Sequence, residues 1–357
     1  MKIKLIILCL CIASICYGQQ PGAERRADIY IREQLAKKHI AGLSVVVLKD
    51  GKIVKASGYG YANLETRTKA TSQTVYKIAS ASKQFIAAGV MVLVQDGRLK
   101  LDDKVVQYIH EVPASWNEMT IRELLNHTAG LPLDAPGFEP YKDLPDSVTI
   151  GSLFASPLIF ESGSKFSYSN ADYFVAAEII RRVSGIGWDL FIQKRLFDPA
   201  GMRATCTTTT SAIVPNRSGG YTYKNGKWTN AESWIAVRPS GAFLSTVLDM
   251  AKWDNSLFTD EVISSASKKE LWSPVKLKDG STIPYGLGWG LSPWNGHERV
   301  FHDGGLPGFS ADYEHFIRER LTVVVLCNTV GVEASEIALH VAGIYEPSLV
   351  ITQPLKR

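Results

Sequence analysis

Ser80-Ala81-Ser82-Lys83 runs, after Gln84, into Phe85-Ile86-Ala87-Ala88-Gly89-Val90-Met91-Val92-Leu93-Val94. The apolar run leaves almost no polar face. As a helix it must be wrapped by protein on nearly all sides rather than lie amphipathically on a surface. Lys83, three residues after Ser80, stands one turn on and on the same face. A hydroxyl beside an amine at the mouth of a buried helix points to chemistry more than to packing. A local reading in which Ser80 or Ser82 merely caps the helix and Lys83 is solvated competes with it until the rest of the chain is read.

Upstream of that helix, residues 24–38 read as a modest amphipathic helix. Leu43 to Leu48 and Lys52 to Tyr61 flank Asp50-Gly51, which signals a β-hairpin. Downstream, Thr120 and Glu123 form a capping box for a short helix that ends at His127. Residues 132–150 read as a long loop or lid beside a cleft. Ala171 to Val183 and Trp188 to Leu196 are helical in pattern, 204–236 suggests loops and short strands, and Ser245 or Thr246 caps a helix reaching Leu257. Tyr285 to Gly290 alternates bulky residues with glycine and reads as a strand, as do His297 to His302, Ser310 to Arg318 and Leu321 to Asn328. Glu333 to Tyr345 is the final helix. Strands at both ends and helices between imply an α+β fold: an antiparallel sheet built from both chain ends with flanking helices, plus a mostly helical lobe. The lobes span about 24–80 with 285–346, and about 81–284.

The composition fits a globular chain: 357 residues, 45% apolar, 21% charged, formal charge +4. No Lys/Arg block marks a nucleic-acid footprint, so the positive sign carries little weight. Lys2 and Lys4 precede an apolar run from Leu5 to Cys16, with small residues to Gly18, the layout of a cleaved leader over residues 1–18. The run is short for a membrane anchor, and Ile15 is bulky for a lipoprotein site at Cys16. The catalytic domain then covers residues 19–346, with 347–357 as a tail, and the expected location is the periplasm or the exterior. Cleavage leaves Cys206 and Cys327, paired or free alike. The histidines show no metal-ligand spacing, so neither metal nor cofactor is expected.

The pattern resembles the penicillin-recognising serine hydrolases: class C β-lactamases, D,D-peptidases and β-lactamase-like esterases and aminopeptidases. Ser80-x-x-Lys83, Tyr168-Ser169-Asn170 and His302-Asp303-Gly304 stand as the family's three motifs, and Leu125 to Leu131 and Pro307-Gly308-Phe309 resemble further family stretches. The resemblance implies that Ser80 is the nucleophile and that Lys83 and Tyr168 handle its proton, in an order left open. It implies that Asn170 contacts Lys83 and substrate, that Ser80 and Gly305 supply oxyanion amides, and that Gly304 and Gly305 let substrate approach the strand. His127 is then structural. His302 stands where β-lactamases and D,D-peptidases carry lysine, which tilts the expectation from anionic substrates towards esters or small amides. The expected activity is hydrolysis of an ester or amide through a Ser80 acyl-enzyme. A class C-type β-lactamase or D-alanyl-D-alanine carboxypeptidase is one alternative, and a catalytically silent binding domain is the other. The expected partner is a small ester, amide or peptide, without nucleic acid or stable membrane insertion; the oligomeric state is open.

Overall fold

The computed structural model describes residues 22–142, 144–207, 211–234 and 238–351. The expected leader and the end of the tail lie outside them. Helix α1 (Ala23–Lys37) leads into β1 (Gly42–Lys49) and β2 (Lys52–Asn63), joined at Asp50-Gly51, where both residues take positive φ. β3 (Thr68–Lys69) follows; then come α2 (Lys83–Gln95), α3 (Ala171–Ser184) and α4 (Val247–Leu257). Strands β4 (Arg299–Leu306), β5 (Phe309–Phe316) and β6 (Leu321–Cys327) return before α5 (Ala334–Tyr345).

The sheet order is β4-β5-β6-β1-β2-β3, with antiparallel neighbours, so the two chain ends meet where β6 pairs with β1. Period-two alternation divides the central strands between two cores. Leu43, Val45, Val47, Val323 and Val325 pack with Ile31 of α1 and Val341 of α5. Val46, Leu48, Val324 and Leu326 face the larger core with α2 and α3. Every residue of α2 from Lys83 to Leu93 is buried, as its sequence demands. Phe85 meets the ring edges of Phe197, Phe243 and Trp253 at centroid distances of 5.0, 5.5 and 5.1 Å. Helix α4, from within the stretch expected to build the helical lobe, packs on β1 and β6. Its buried Asp254 accepts hydrogen bonds from Tyr313 (2.5 Å) and Thr322 (2.9 Å) and meets His315 Nδ1 at 3.0 Å.

Three expectations change. Residues 132–150 are not all loop, because a helix begins at Asp146 and runs to Phe154. Tyr285 to Gly290 is not a strand. Gly288 takes φ +78, and the segment folds back so that Gly286 N–H reaches Trp289 O at 2.7 Å. The glycine pattern therefore serves close packing: a β-carbon on Gly288 would stand 2.9 Å from the Tyr173 hydroxyl and 3.1 Å from Lys83 O. Third, Trp188 to Leu196 is helical only to Ile192 before a wider π-turn over Gln193–Phe197. Thr120 and Thr246 cap their helices as expected, and Cys206 and Cys327 are unpaired thiols. Among the described residues no helix is long and apolar enough to cross a membrane.

One buried feature has no counterpart in the sequence reading. On the face of β5 shared with Phe316, towards α5, Asp312 and Glu314 are buried, with neither Asp312 oxygen hydrogen-bonded; Glu314 pairs with Arg299. Burial, followed by the adjacent Glu314 charge, pushes the Asp312 carboxyl well above its ordinary range. A carboxyl raised in the fold stabilises most below its unfolded pKa of about 3.9, and that stability is lost as pH rises towards the folded value. Asp312→Asn removes this cost. Thermal unfolding should show the variant gaining on the parent between pH 4.5 and 8, by up to about 1.4 kcal/mol per pH unit over the affected range, and an unchanged difference across that range would contradict the buried neutral acid.

Candidate active site

Ser80 lies in a 3-10 turn, Ala79–Ser82, that feeds directly into α2. Neither Ser80 nor Ser82 caps the helix with its side chain. The Ser82 hydroxyl instead accepts the Phe243 N–H at 3.2 Å, tying the turn to the strand Phe243–Ser245. Ala79 takes φ 50, a strained conformation for a residue with a β-carbon, immediately before the hydroxyl. On the other side Gly304 presses against the turn. A β-carbon there would fall 2.2 Å from Ile78 O and 3.0 Å from Ser80 N, so only glycine lets β4 come this close.

Lys83 is fully buried, and its Nζ has three polar neighbours: Asn170 Oδ1 at 2.9 Å, Ser240 O at 3.0 Å and Ser80 Oγ at 3.3 Å. Burial first, and the Arg238 charge second, hold the amine well below the usual lysine range, against the opposing pull of Asp134, Asp172 and Asp303. A neutral amine has two N–H groups and one lone pair. Asn170 Oδ1 and the Ser240 carbonyl can only accept, so they take both N–H groups and the lone pair is left for the Ser80 hydroxyl. The Asn170 amide is oriented by its own Nδ2, which donates to Asp134 at 3.1 Å, and Asp134 is held by Arg238. Asn170 opens α3 but makes no capping bond; its oxygen goes to Lys83 instead.

The ring of Tyr168 lies 4.6 Å from Lys83 Nζ, with Ser80 beside its hydroxyl. Burial drives this phenol well above its ordinary pKa. The ring therefore keeps its hydroxyl proton. Behind it His302 is buried and uncharged; desolvation pulls its pKa to about 4 although Asp303 opposes the shift.

The tautomers of the surrounding network follow from its acceptors. His302 Nδ1 lies 2.6 Å from Asp303 O, which can only accept, so Nδ1 carries the proton. Its bare Nε2 then accepts from the Tyr285 hydroxyl at 3.1 Å, and Tyr285 in turn accepts from His127 Nε2 at 3.3 Å. That leaves His127 Nδ1 bare, as the Ser169 N–H pointing at it from 3.2 Å also requires. Asp172 Oδ2, 2.9 Å away, must therefore donate, which fits a carboxyl driven well up by burial. A neutral, polarised chain thus joins the start of α3 to β4. His127 sits behind the site, in contact with the Tyr168 ring at 4.4 Å.

On β4, Phe301 exchanges both backbone hydrogen bonds with Gly290, so Phe301, Asp303 and Gly305 turn their N–H and C=O groups to that outer edge. A β-carbon on Gly305 would meet nothing within 4 Å, leaving room for a ligand beside the strand. Ser80, Lys83, Tyr168, Asn170, His302 and Gly304 thus converge. Sequence reasoning did not single out Asp134, Arg238, Ser240 or Tyr285. Their only signal is proximity across long stretches of chain.

The family model for beta-lactamase matches residues 27–344. The chain belongs to the beta-lactamase family. It is 32% identical over 320 residues to penicillin-binding protein 4* of Bacillus subtilis, covering 83% of this chain and 70% of that protein. Protein flp of Staphylococcus aureus is 26% identical, with 86% of this chain matching 63% of that longer protein. Among solved structures, the octameric penicillin-binding protein homologue from Pyrococcus abyssi superposes with a TM-score of 0.80 at 26% identity, over 90% of this chain and 77% of that one. D-amino acid amidase from Ochrobactrum anthropi SV3 shares the fold, at TM-score 0.81 and 24% identity over 91% of this chain and 99% of its own.

In this family member the relay predicts two tautomers: nitrogen-15 spectra should report His302 as Nδ1–H and His127 as Nε2–H. Tyr285→Phe, which strips both imidazoles of their shared partner, should cost about 1–3 kcal/mol in unfolding free energy. Spectra with both rings in the same tautomer would break the chain.

Proposed function

We propose that this family member is an exported serine hydrolase that cleaves an ester or small amide through an acyl-enzyme on Ser80. The observation that carries the reading is a buried amine with no counter-charge, its lone pair left to the Ser80 hydroxyl by two acceptors that occupy both its N–H groups. Ser80 Oγ attacks the substrate carbonyl as its proton passes to Lys83. Negative charge gathers on the carbonyl oxygen before the amides of Ser80 and Gly305. Collapse breaks the bond to the leaving group, whose heteroatom takes the Tyr168 proton; Tyr168 recovers one from the Lys83 ammonium. Water then attacks the ester on Ser80, its proton leaving by the same groups, and restores the serine. With Tyr168 held as a protonated phenol, Lys83 is the base of the first step. Export rests on the basic and apolar pattern of residues 1–18.

His302 favours a substrate without a carboxylate at that position, since its ring is neutral and both nitrogens are occupied. A penicillin-reactive enzyme is the second reading, favoured by the likeness to penicillin-binding protein 4*.

Fluorophosphonate should label the folded protein and not Ser80→Ala. Lys83→Ala should lower kcat/KM for short esters by about 1,000-fold or more with the fold kept, and Tyr168→Phe by about 100-fold, in the range removal of a proton-transfer group commonly costs. Nitrocefin run beside the esters separates the two readings. Absence of labelling together with absence of ester turnover would leave a silent binding domain.

A further inference from the structure

A pocket of about 280 Å³ opens beside Tyr168, walled by Phe166, Ile283, Pro284 and Phe301, with Asp303 at its side. Asp303 is exposed, and no ion pair engages it among the described residues. The neighbouring cations are spent elsewhere. Arg299 pairs with Glu314, Arg238 pairs with Asp134, and Lys83 is held uncharged. His302, the remaining titratable base in the wall, is neutral, and the carboxyls behind the strand, Asp312 and Glu314, are buried. One uncompensated negative charge therefore stands among aromatic and apolar walls. Its field reaches the chemistry, since Asp303 opposes the lowering of both Lys83 and His302.

An organic cation answers this combination: the carboxylate supplies charge, the ring of Phe166 supplies a face that attracts cations, and Ile283 and Pro284 cover the carbon skeleton. Tyr168, which protonates the departing heteroatom in the scheme above, lines the pocket and Ser80 does not. The fragment entering it is the one that leaves. We infer that this site is specific for substrates whose leaving group carries an alkylammonium, selected by Asp303. The inference rests on the Ser80 hydrolase reading and adds to it the charge of the group released.

The test uses the full mature chain and three butyrate esters, those of 2-(trimethylammonio)ethanol, its neutral isostere 3,3-dimethylbutan-1-ol, and 4-hydroxybutanoate. The expected kcat/KM is up to about fivefold higher for the cationic than for the neutral ester at low salt, with the anionic ester slowest, the range that contact with an exposed carboxylate commonly gives. That ratio should shrink in 0.5 M salt, and Asp303→Asn should bring it close to one. Equal values for the cationic and neutral esters in the parent, or a preference unchanged in Asp303→Asn, would overturn the inference. Turnover of the neutral ester without discrimination by charge would leave the hydrolase reading standing and sink this one. If none of the esters turns over, calorimetric binding of 3-phenylpropylammonium against 3-phenylpropanol reads the pocket without chemistry. Tighter ammonium binding that is lost in Asp303→Asn supports the assignment, and equal binding rejects it.

Discussion

The site is organised by the burial of an amine that has no acid to pair with. Lys83 reaches into a region where an ammonium would forfeit several kcal/mol of hydration, and its immediate partners are a carbonyl, an amide oxygen and a hydroxyl rather than a carboxylate. Under those conditions the cheaper solution is to lose the proton. Of the three acids one step away, the exposed Asp303 is screened by solvent, and the other two are neutralised, each in a different manner. Asp134 is tied to Arg238, and Asp172 keeps its proton because it is buried. Were either ionised and free beside Nζ, the lysine would regain its charge and the lone pair facing Ser80 would vanish.

Holding the amine there requires a helix that has no solvent face and a turn that cannot drift. The first condition is met by the apolar run of α2, seated against α3 and against the aromatic cluster of Phe197, Phe243 and Trp253. The second is met by a clamp. The Ala79–Ser82 turn is gripped by the Ser82 hydroxyl on one side and by β4 on the other, where Gly304 permits contact that any β-carbon would prevent. The positive φ at Ala79 persists because both jaws of the clamp hold it.

Local periodicity made much of this legible in the sequence. The Asp50-Gly51 hairpin, the all-round burial of α2, the capping box at Thr120 and the long strands all announce themselves within a dozen residues, and β1, β5 and β6 lie where their patterns put them. Ser80 and Lys83 stand out at the mouth of the buried helix, whereas Tyr168 and Asn170 are named only through the resemblance to the family. What failed was whatever depends on distant chain. The alternating glycines of Tyr285 to Gly290 match a strand in period, yet their real function is to let a loop lie against Lys83 and Tyr173. Asp134 and Arg238 look like ordinary polar loop residues until the fold brings them together. Asn170 sits at the N-cap position of α3, yet the buried amine and not the helix takes its oxygen.

The exchange of lysine for histidine on the edge strand then acquires a physical sense. A lysine at 302 would supply a positive charge that both meets a substrate carboxylate and depresses the pKa of the neighbouring amine. His302 does neither directly: Tyr285 and the Asp303 carbonyl occupy its nitrogens, and burial keeps it neutral. The depression of Lys83 passes instead to desolvation and to Arg238, which approaches from the opposite wall and carries its own counter-ion. Moving the cation from the edge strand to that wall preserves the neutral base. It also strips the strand of positive charge on the side a substrate meets, leaving Asp303 as the charged group on view. The base and the selectivity are thus set by separate groups, so the electrostatics facing the leaving group can change while Lys83 keeps its lone pair.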